Sequence, residues 1–382
     1  MTTAASPVEP ALESTQPVAE DSPPLMAVHT PNFPSLLRQL GASLLVTTYQ
    51  AGKLVVVRDE GDHLNTHFRA FQSPMGMALA GDRLAVGTKI QVWEFVDVPA
   101  VTAKLEPPGR HDACFLPRSS HVTGNIQIHE MAWGAGNELW VVNTRFSCLC
   151  TLDGSASFAP RWRPPFVSAL DPTDRCHLNG LGMVDGRPRY VTALGETDTP
   201  AGWRADRAGG GIVMDVASGE VITRGLSMPH SPRWYGGRLW VCESGAGTFG
   251  YIDPNTGKYV PIAEVPGFTR GVDFAGNLAF VGLSQVRESA VFSGIAITER
   301  LTAEERTCGV CAIDLRSGRL VALLRFETAV QEVFAVTVLP GRRFPELIND
   351  DESLLENSFT VPDAALADVS AALRAPAGNG HV

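Results

Sequence analysis

Short apolar runs separated by turn residues recur along the chain, whereas long stretches with helical periodicity are scarce. Each run is followed by a turn such as GD, GN or GG and then by a second apolar run, which is typical of a β-hairpin. The instances are PMGMALAGDRLAVGT (74–88), HEMAWGAGNELWVVN (129–143), HLNGLGMVDGRPRYVTA (177–193), HSPRWYGGRLWVCES (230–244), RGVDFAGNLAFVGLS (270–284) and EVFAVTVLPGRRFP (332–345). They lie about fifty residues apart, and a unit of that length with four short strands has the size of a propeller blade.

The two ends of this repeat complete one another. The stretch SLLVTTYQAGKLVVV (43–57) supplies the second and third strands of a blade without an innermost strand before it. The last instance supplies an innermost strand with little after it. Joining the two closes the ring and removes the unpaired sheet edges. The pattern therefore predicts an all-β, six-bladed β-propeller closed by N- and C-terminal strands that share a blade, with seven blades as the rival count.

Composition divides the chain into three parts. Residues 1–30 are rich in Pro, Ser, Thr, Ala and Glu, which predicts a disordered leader, and they lack the basic and apolar regions of a signal peptide. Residues 31–348 form the predicted propeller. Residues 349–382 are predicted to be a partly disordered C-terminal extension with one short helix.

The charge balance and the cysteines restrict the possible partners. The net charge is −10 and the basic residues are scattered, so neither nucleic acid nor a membrane surface is an expected partner. No apolar run approaches the roughly 18 residues of a membrane-spanning helix. The seven cysteines include a lone CxxC, Cys308 and Cys311, without a second ligand pair for a metal. Reduced thiols in a cytoplasmic protein are the expectation.

Three histidines lead three consecutive units: His129, His177 and His230. The first strand of each propeller blade lines the central channel, so we expect these imidazoles to converge near one mouth. Three imidazoles with open coordination positions are typical of a catalytic transition-metal site. Iron is favoured, with zinc or copper as alternatives. His121 precedes His129 on the loop expected to enter the same blade, and is a candidate fourth ligand or channel-mouth base.

Charged residues accompany these histidines. Glu130 and Glu332 are candidates to orient the imidazoles or to bind the metal directly. Arg233 and Arg270 are expected to face the channel, where they either neutralise an anionic substrate or pair with Glu130, Glu196 or Glu332. Glu130, Glu332 and Arg233 are the candidate catalytic residues.

Two loops are candidates for substrate contact. The loop GETDTPAGW (195–203) is long for a blade turn, and its Glu196 and Trp203 are expected either to cover the channel mouth or to belong to a simple insertion. The loop SQVRES (284–289) carries Arg287, which either clamps a substrate carboxylate or forms a surface ion pair.

The segments HVTGNIQIHEMAW, GETDTPAGW, MPHSPRWYGGRLWVCESG and VGLSQVRES together resemble a bacterial family of conserved hypothetical proteins, a domain of unknown function with a propeller fold. The resemblance covers nearly the whole chain after the leader and implies the propeller without implying a reaction. The blade pattern is also distantly similar to six-bladed lactonases of the gluconolactonase type. Those enzymes hold a divalent cation with Glu, Asn and Asp, and this sequence departs from them by offering histidines. Carotenoid-cleaving oxygenases, in which four imidazoles hold iron, are an analogy of site chemistry alone.

Two classes of function follow from these observations. The first is a metal-dependent enzyme that acts on a small molecule, anionic or neutral, at a histidine-lined channel. A non-haem iron oxygenase is favoured over a zinc- or other metal-dependent hydrolase or lactonase. The second is a binding or scaffolding propeller whose polar channel residues satisfy one another. The sequence leaves the substrate and the oligomeric state open.

Overall fold

Six small sheets, or blades, contain the strands, and the strands of each blade pair with their neighbours in an antiparallel manner, apart from one short parallel strand at the rim. The computed structural model describes residues 25–285, 294–349, 352–356 and 358–370. Within these ranges the blades form a ring, so the predicted six-bladed β-propeller is confirmed and the seven-bladed alternative is wrong. Residues 1–24 of the predicted leader, Arg287 and residues 371–382 of the predicted extension lie outside the described residues.

The blades are numbered here from the closing blade, and their strands are given from the channel outward. Blade 1 consists of Ala335–Pro340, Ala42–Thr47, Lys53–Glu60 and His63–Ala70, and blade 2 of Met77–Ala80, Arg83–Gly87, Gln91–Asp97 and Ala113–Val122. Blade 3 consists of Ile128–Trp133, Leu139–Asn143, Cys148–Asp153 and Ala156–Trp162, and blade 4 of Leu178–Val184, Arg187–Ala193, Gly211–Asp215 and Val221–Leu226. Blade 5 consists of Pro229–Tyr235, Arg238–Glu243, Thr248–Ile252 and Tyr259–Glu264, and blade 6 of Phe268–Ala275, Leu278–Ser284, Gly309–Asp314 and Leu320–Phe326.

Blade 1 closes the ring in the manner that the sequence predicted. Its innermost strand Ala335–Pro340 comes from the C-terminal end of the repeat and pairs antiparallel with Ala42–Thr47 from the N-terminal end. Every residue of Ala42–Thr47 is buried, and so are the four central residues of Ala335–Pro340. The ring is therefore sealed by backbone hydrogen bonds between segments that are distant in sequence.

Two short strands extend the rim beyond four strands per blade. Ala27–His29 pairs antiparallel with the outer strand of blade 6, so the last residues of the segment predicted as leader, 1–30, contribute a strand to the rim. Pro345–Leu347 pairs parallel with the outer strand of blade 2. Its Glu346 carboxylate is nearly buried, with His67 Nε2 at 3.2 Å and Arg69 Nη2 at 3.1 Å. Burial opposes ionisation of Glu346, yet these neighbours lower its pKa to about 2.

Helices are short and lie outside the blades. The α-helices are Phe33–Leu40, Pro99–Thr102, Ala296–Arg300 and Glu352–Leu355, and the 3₁₀ helices are Tyr49–Ala51, Ala135–Asn137, Gly202–Ala205 and Asp363–Leu366. The first helix is amphipathic and buries Phe33 and Leu37 against blades 1 and 6. In the part of the chain that the structure describes, none of these helices is long and apolar enough to cross a membrane. All seven cysteines are buried as free thiols.

Candidate functional site

The three histidines that lead blades 3, 4 and 5 meet at one mouth of the channel. His129 and His230 lie near the start of their innermost strands, and His177 immediately precedes Leu178–Val184. The ring centre of His129 is 4.8 Å from that of His177 and 6.5 Å from that of His230. The repeat therefore brings these side chains together although they are far apart in sequence.

The Nδ1 atom of His129 is held by two acceptors. It lies 3.1 Å from the Gln127 carbonyl oxygen and 2.8 Å from Thr144 Oγ1. Thr144 donates its single hydroxyl hydrogen to the Leu178 carbonyl oxygen, so toward the imidazole it can only accept a hydrogen bond. Nδ1 of His129 is therefore the protonated nitrogen, and Nε2 carries the lone pair.

Blade 5 repeats this arrangement around His230. Its Nδ1 lies 2.9 Å from the Met228 carbonyl oxygen and 2.9 Å from Ser244 Oγ. Ser244 donates its own proton to the Thr269 carbonyl oxygen, so it accepts from His230. In both blades the residue two positions before the histidine has a positive φ, 55° at Gln127 and 48° at Met228. That conformation turns the carbonyl oxygen back toward the ring.

Blade 4 anchors its histidine with a carboxylate. Nδ1 of His177 lies 2.8 Å from Asp174 Oδ2, and the same oxygen accepts a hydrogen bond from Trp203 Nε1 at 2.9 Å. The indole also packs against the imidazole, with ring centres 4.4 Å apart. A carboxylate accepts hydrogen bonds, so Nδ1 of His177 is the nitrogen that donates to Asp174, as Nδ1 donates in the other two histidines.

The site favours neutral imidazoles. Burial lowers the pKa of His129 and of His230 well below the ordinary value, and the positive charge of Arg270 lowers both further. No described residue forms a hydrogen bond with Nε2 of His129, His177 or His230. The mouth of the channel therefore carries unprotonated Nε2 atoms on His129 and His230, and all three rings are fixed from behind through Nδ1.

The rings are nevertheless further apart than in a loaded metal site. Two imidazoles on one ion, with metal–nitrogen distances of about 2.1 Å, have ring centres roughly 4.5–5.5 Å apart at tetrahedral or right angles. The His129–His177 pair meets this condition, whereas the distance from His129 to His230 is about 1 Å too long. Consistently, no group of three or more His, Cys, Asp or Glu among the described residues is arranged to hold a metal ion.

Arg270 and Glu332 form an ion pair beside the histidines. Arg270 Nη1 lies 2.8 Å from Glu332 Oε1, and the guanidinium stacks on Phe334 with 3.5 Å to the ring centre. Phe334 in turn contacts the His129 ring at 5.2 Å between centres. Burial lowers the pKa of Arg270, and Glu332 opposes that change. This pair is one of the alternatives that the sequence left open, and it places a charged group at the edge of the site.

Glu130 turns away from the histidine cluster. Its Oε2 accepts a hydrogen bond from the Leu181 backbone N–H at 2.7 Å, and its Oε1 pairs with Arg233 Nη2. Arg233 also donates to the Leu181 carbonyl oxygen at 3.1 Å. These contacts join blades 3, 4 and 5 below the histidines, so the described hydrogen bonds of Glu130 and Arg233 are with each other, with Leu181 and with the Pro232 carbonyl oxygen rather than with an imidazole.

The remaining predicted site residues have separate locations. His121 lies on the outer strand of blade 2, with Nε2 2.9 Å from the Ser157 carbonyl oxygen, and not on a loop that enters blade 3. The prediction for its position was wrong because the chain crosses from the rim of one blade to the channel strand of the next after His121. Glu196 pairs with the exposed Arg224 at 2.7 Å. Trp203 reaches the site through Asp174, as described above.

Sequence reasoning missed Thr144, Ser244 and Asp174. A signal for the first two exists, because the second strand of most blades ends at a hydroxyl residue. These residues are Thr47, Thr88, Thr144, Ser244 and Ser284. Four of the five hydroxyls donate to a carbonyl of the following blade. Asp174 has no counterpart in the repeat and could not be found in this way.

Solved structures with similar folds are distant in sequence. A protein of unknown function from Bacteroides caccae is 9% identical with a TM-score of 0.49, covering 78% of this chain and 98% of that chain. A chain of the nidogen/laminin complex is 11% identical with a TM-score of 0.48, covering 78% and 99%. Virginiamycin B lyase from Staphylococcus aureus is 12% identical with a TM-score of 0.37, covering 62% and 71%. These similarities are too weak to support an argument about function.

No functionally curated protein matches the chain significantly. The family resemblance noted from the sequence is confirmed by a match over residues 31–348, which extends across all six blades. The chain belongs to the family described as a domain of unknown function, DUF4915.

Proposed function

We propose that this propeller is a metal-dependent enzyme whose ion binds to Nε2 of His129, His177 and His230. The observation that supports the proposal is that all three rings have Nδ1 committed to a fixed acceptor and Nε2 left without one among the described residues. Metal-binding histidines characteristically donate their second ring N–H to a carbonyl or carboxylate in this way. Three rings with the same tautomer around one channel are difficult to explain by packing alone.

Metal binding requires a small movement at one ring. His230 must approach His129 by roughly 1 Å for all three nitrogens to reach one ion. A rotation of the His230 ring about Nδ1 would bring Nε2 closer to His129 and keep the hydrogen bonds from Nδ1 to the backbone carbonyl and the serine hydroxyl. His177 is oriented by Asp174, whose negative charge also favours a cation on the opposite side of the ring.

Three neutral imidazoles favour iron, zinc or copper over calcium and magnesium, and iron is the preferred ion in this proposal. A bound iron supplies dioxygen activation, whereas zinc would supply an activated water for hydrolysis. The protein residues hold the ion, keep its ligands unprotonated and leave coordination positions open toward the mouth of the channel.

The expected substrate is small and anionic, since Arg270 is the charged group closest to the cluster that is able to bind an anion. Its partner Glu332 is about one-third exposed at the side chain and is the group that a substrate carboxylate would replace. Phe334 and Trp203 provide apolar surfaces on either side of the histidines. In this proposal Arg270 orients the substrate and Glu332 occupies its place in the absence of substrate.

Metal analysis of protein purified without added metal tests the proposal. About one equivalent of iron, zinc or copper is expected in the original chain, and the His129→Ala/His177→Ala variant should lose it. The matched control is His121→Ala, which removes a histidine from the outer strand of blade 2 and should keep the full metal content. An original chain without bound metal, which also fails to bind added Fe²⁺ or Zn²⁺, would contradict the proposal.

A second candidate function is a binding propeller without catalysis. Among the described residues, no group of metal-ligating side chains is already arranged around an ion, which favours this candidate. The ion pairs Arg233–Glu130 and Arg270–Glu332, which pair the charged side chains in the channel with each other, favour it as well. The same measurement separates the two candidates, because a binding propeller has no reason to lose metal when His129 and His177 are replaced.

A further inference from the structure

A cavity of about 640 Å³ opens at the other mouth of the channel. The histidines lie at the beginning of the innermost strands, whereas this far-mouth cavity is lined by the ends of those strands. In blade 3, for example, His129 is the second residue of Ile128–Trp133, and the cavity contacts 131–133. A volume of this size is typical of small-molecule sites, which range from about 300 to 1,000 Å³.

The far-mouth cavity is lined by apolar side chains together with nearly as much polar surface. Met77, Met131 and Met183 come from blades 2, 3 and 4, and Leu181 and Val336 add to the apolar part of the wall. Methionine side chains are flexible and polarizable, so they adapt to the shape of an apolar ligand. Blades 1 to 6 all contribute lining residues, so the cavity is a feature of the closed ring rather than a gap between two blades.

Arg233 is the cation that lines the far-mouth cavity, and about a quarter of its side chain is exposed although it lies inside the ring. Nη1 donates to the carbonyl oxygens of Leu181 and Pro232, and Nη2 donates to Glu130. A guanidinium has five N–H groups, so the Nε–H and one Nη2–H have no acceptor among the described residues. The cavity therefore contains hydrogen-bond donors that a ligand can use.

The charges around Arg233 select the kind of ligand. Glu130 pairs with the guanidinium directly. Burial raises the pKa of Asp273, another lining residue, and both of its oxygens already accept backbone N–H groups, from Phe274 at 2.9 Å and from Val338 at 2.8 Å. The Glu130 carboxylate thus already balances the guanidinium charge, and an anionic ligand would bring a second negative charge to one cation. A neutral acceptor can use the remaining N–H groups without that repulsion.

We propose that the far-mouth cavity binds a neutral small molecule that has an apolar part and a carbonyl oxygen, as in an amide, ester or ketone, which accepts a hydrogen bond from Arg233. This site is separate from the histidine cluster, and it does not depend on the proposed metal. Arg233 therefore has a ligand-binding role opposite to the one expected from the sequence, where it was a candidate to neutralise an anion.

Calorimetric titration of the full chain with two probes of equal chain length tests this assignment. N,N-dimethyloctanamide should bind with a 1:1 stoichiometry, and octanoate should bind at least tenfold more weakly because of its charge. Met131→Trp fills the cavity and should abolish amide binding, whereas Val122→Trp adds the same bulk on an exposed part of blade 2 and should leave binding unchanged. The His129→Ala/His177→Ala variant should bind the amide like the original chain, which separates this proposal from the metal site.

Three results would overturn the proposal: no saturable binding of the amide, octanoate binding as tightly as the amide, or amide binding that survives Met131→Trp. If Met131→Trp does not fold, Arg233→Lys provides the second measurement. It keeps the charge that pairs with Glu130 but removes the Nε–H and the planar donor group. The amide should then bind at least tenfold more weakly, and unchanged binding by a folded Arg233→Lys variant would contradict the assigned contact.

Discussion

Replacing Asp174 by asparagine is the most informative single change at the histidine cluster. Asp174 Oδ2 accepts hydrogen bonds from His177 Nδ1 at 2.8 Å and Trp203 Nε1 at 2.9 Å, whereas its Oδ1 is buried and has no hydrogen-bond partner among the described residues. An asparagine with its oxygen toward the two donors keeps both hydrogen bonds in neutral form. Its NH₂ group must then occupy the position of Oδ1, where it has no acceptor.

The expected loss in the free energy of unfolding of Asp174→Asn follows from these contacts. A hydrogen bond to an ionised group contributes about 1.5–3 kcal/mol and a neutral one about 1 kcal/mol, so the two bonds of Asp174 lose roughly 2 kcal/mol together. The buried amide without an acceptor adds about 1 kcal/mol. We therefore expect the free energy of unfolding of Asp174→Asn to fall by about 3 kcal/mol. Because a carboxylate that holds the back of a metal-binding imidazole fixes the orientation of the ring, metal affinity should fall about 10- to 100-fold.

The assay is a Zn²⁺ titration against a chromophoric chelator, together with urea unfolding. Asp171→Asn is the matched control, because Asp171 lies in the same loop and pairs with Arg175 rather than with a histidine. That variant should bind Zn²⁺ like the original chain. Unchanged Zn²⁺ affinity in a folded Asp174→Asn variant would refute the reasoning that the carboxylate orients a metal ligand. Equal losses in both variants would refute it as well, since the effect would then belong to the loop.

Three further changes test other parts of the structure. Thr144→Val removes the hydroxyl that contacts His129 Nδ1 and the Leu178 carbonyl oxygen, and urea titration should show a loss of about 1–3 kcal/mol in unfolding free energy; no loss would contradict the contribution of these hydrogen bonds. Gly76→Ala should lower the midpoint of thermal unfolding, because its new Cβ would lie 2.9 Å from the backbone of blade 3. In the control Gly154→Ala the new Cβ meets nothing within 4 Å, and equal midpoints of the two variants would contradict this packing. Glu346→Gln should lower the free energy of unfolding by about 3 kcal/mol at pH 7, because the pKa of Glu346 is about 2 in the folded chain in place of 4.5. The ionised carboxylate stabilises the folded chain above pH 4.5, and that contribution is lost as the pH falls toward 2. Parallel stability–pH curves of the two proteins between pH 5 and 2 would contradict the last prediction.

The fold was predictable because the same sequence pattern recurs in each of its blades. Each blade repeats the same apolar pattern and turn, so an error in one unit is corrected by the others. The closing blade could be identified because its two halves, 43–57 and 332–345, are incomplete in complementary ways. The shared position of His129, His177 and His230 followed from the same repeat, since residues at matching positions of a propeller converge on one axis.

The contacts of the site were less predictable, because they depend on single backbone conformations and not on the repeat. The positive φ at Gln127 and Met228 determines which carbonyl oxygen contacts each imidazole ring, and neither residue type predicts a positive φ. The choice between alternative ion pairs for Arg233 was equally local. It depends on the depth of its guanidinium in the channel, where Glu130 lies within reach. His121 shows the opposite error, in which closeness in sequence was taken for closeness in space.

The electrostatics of the cluster connect a metal ion to an anionic substrate. The positive charge of Arg270 lowers the pKa of both His129 and His230, so the same field would act against a cation bound between them. Glu332 offsets that field, and Asp174 adds a negative charge behind the third ring. A substrate carboxylate that replaces Glu332 on Arg270 brings its own negative charge to the same place. The exchange therefore keeps one negative charge beside Arg270, which offsets the repulsion between Arg270 and a bound cation. A neutral ligand would leave Glu332 in place and would form no charge pair with the guanidinium.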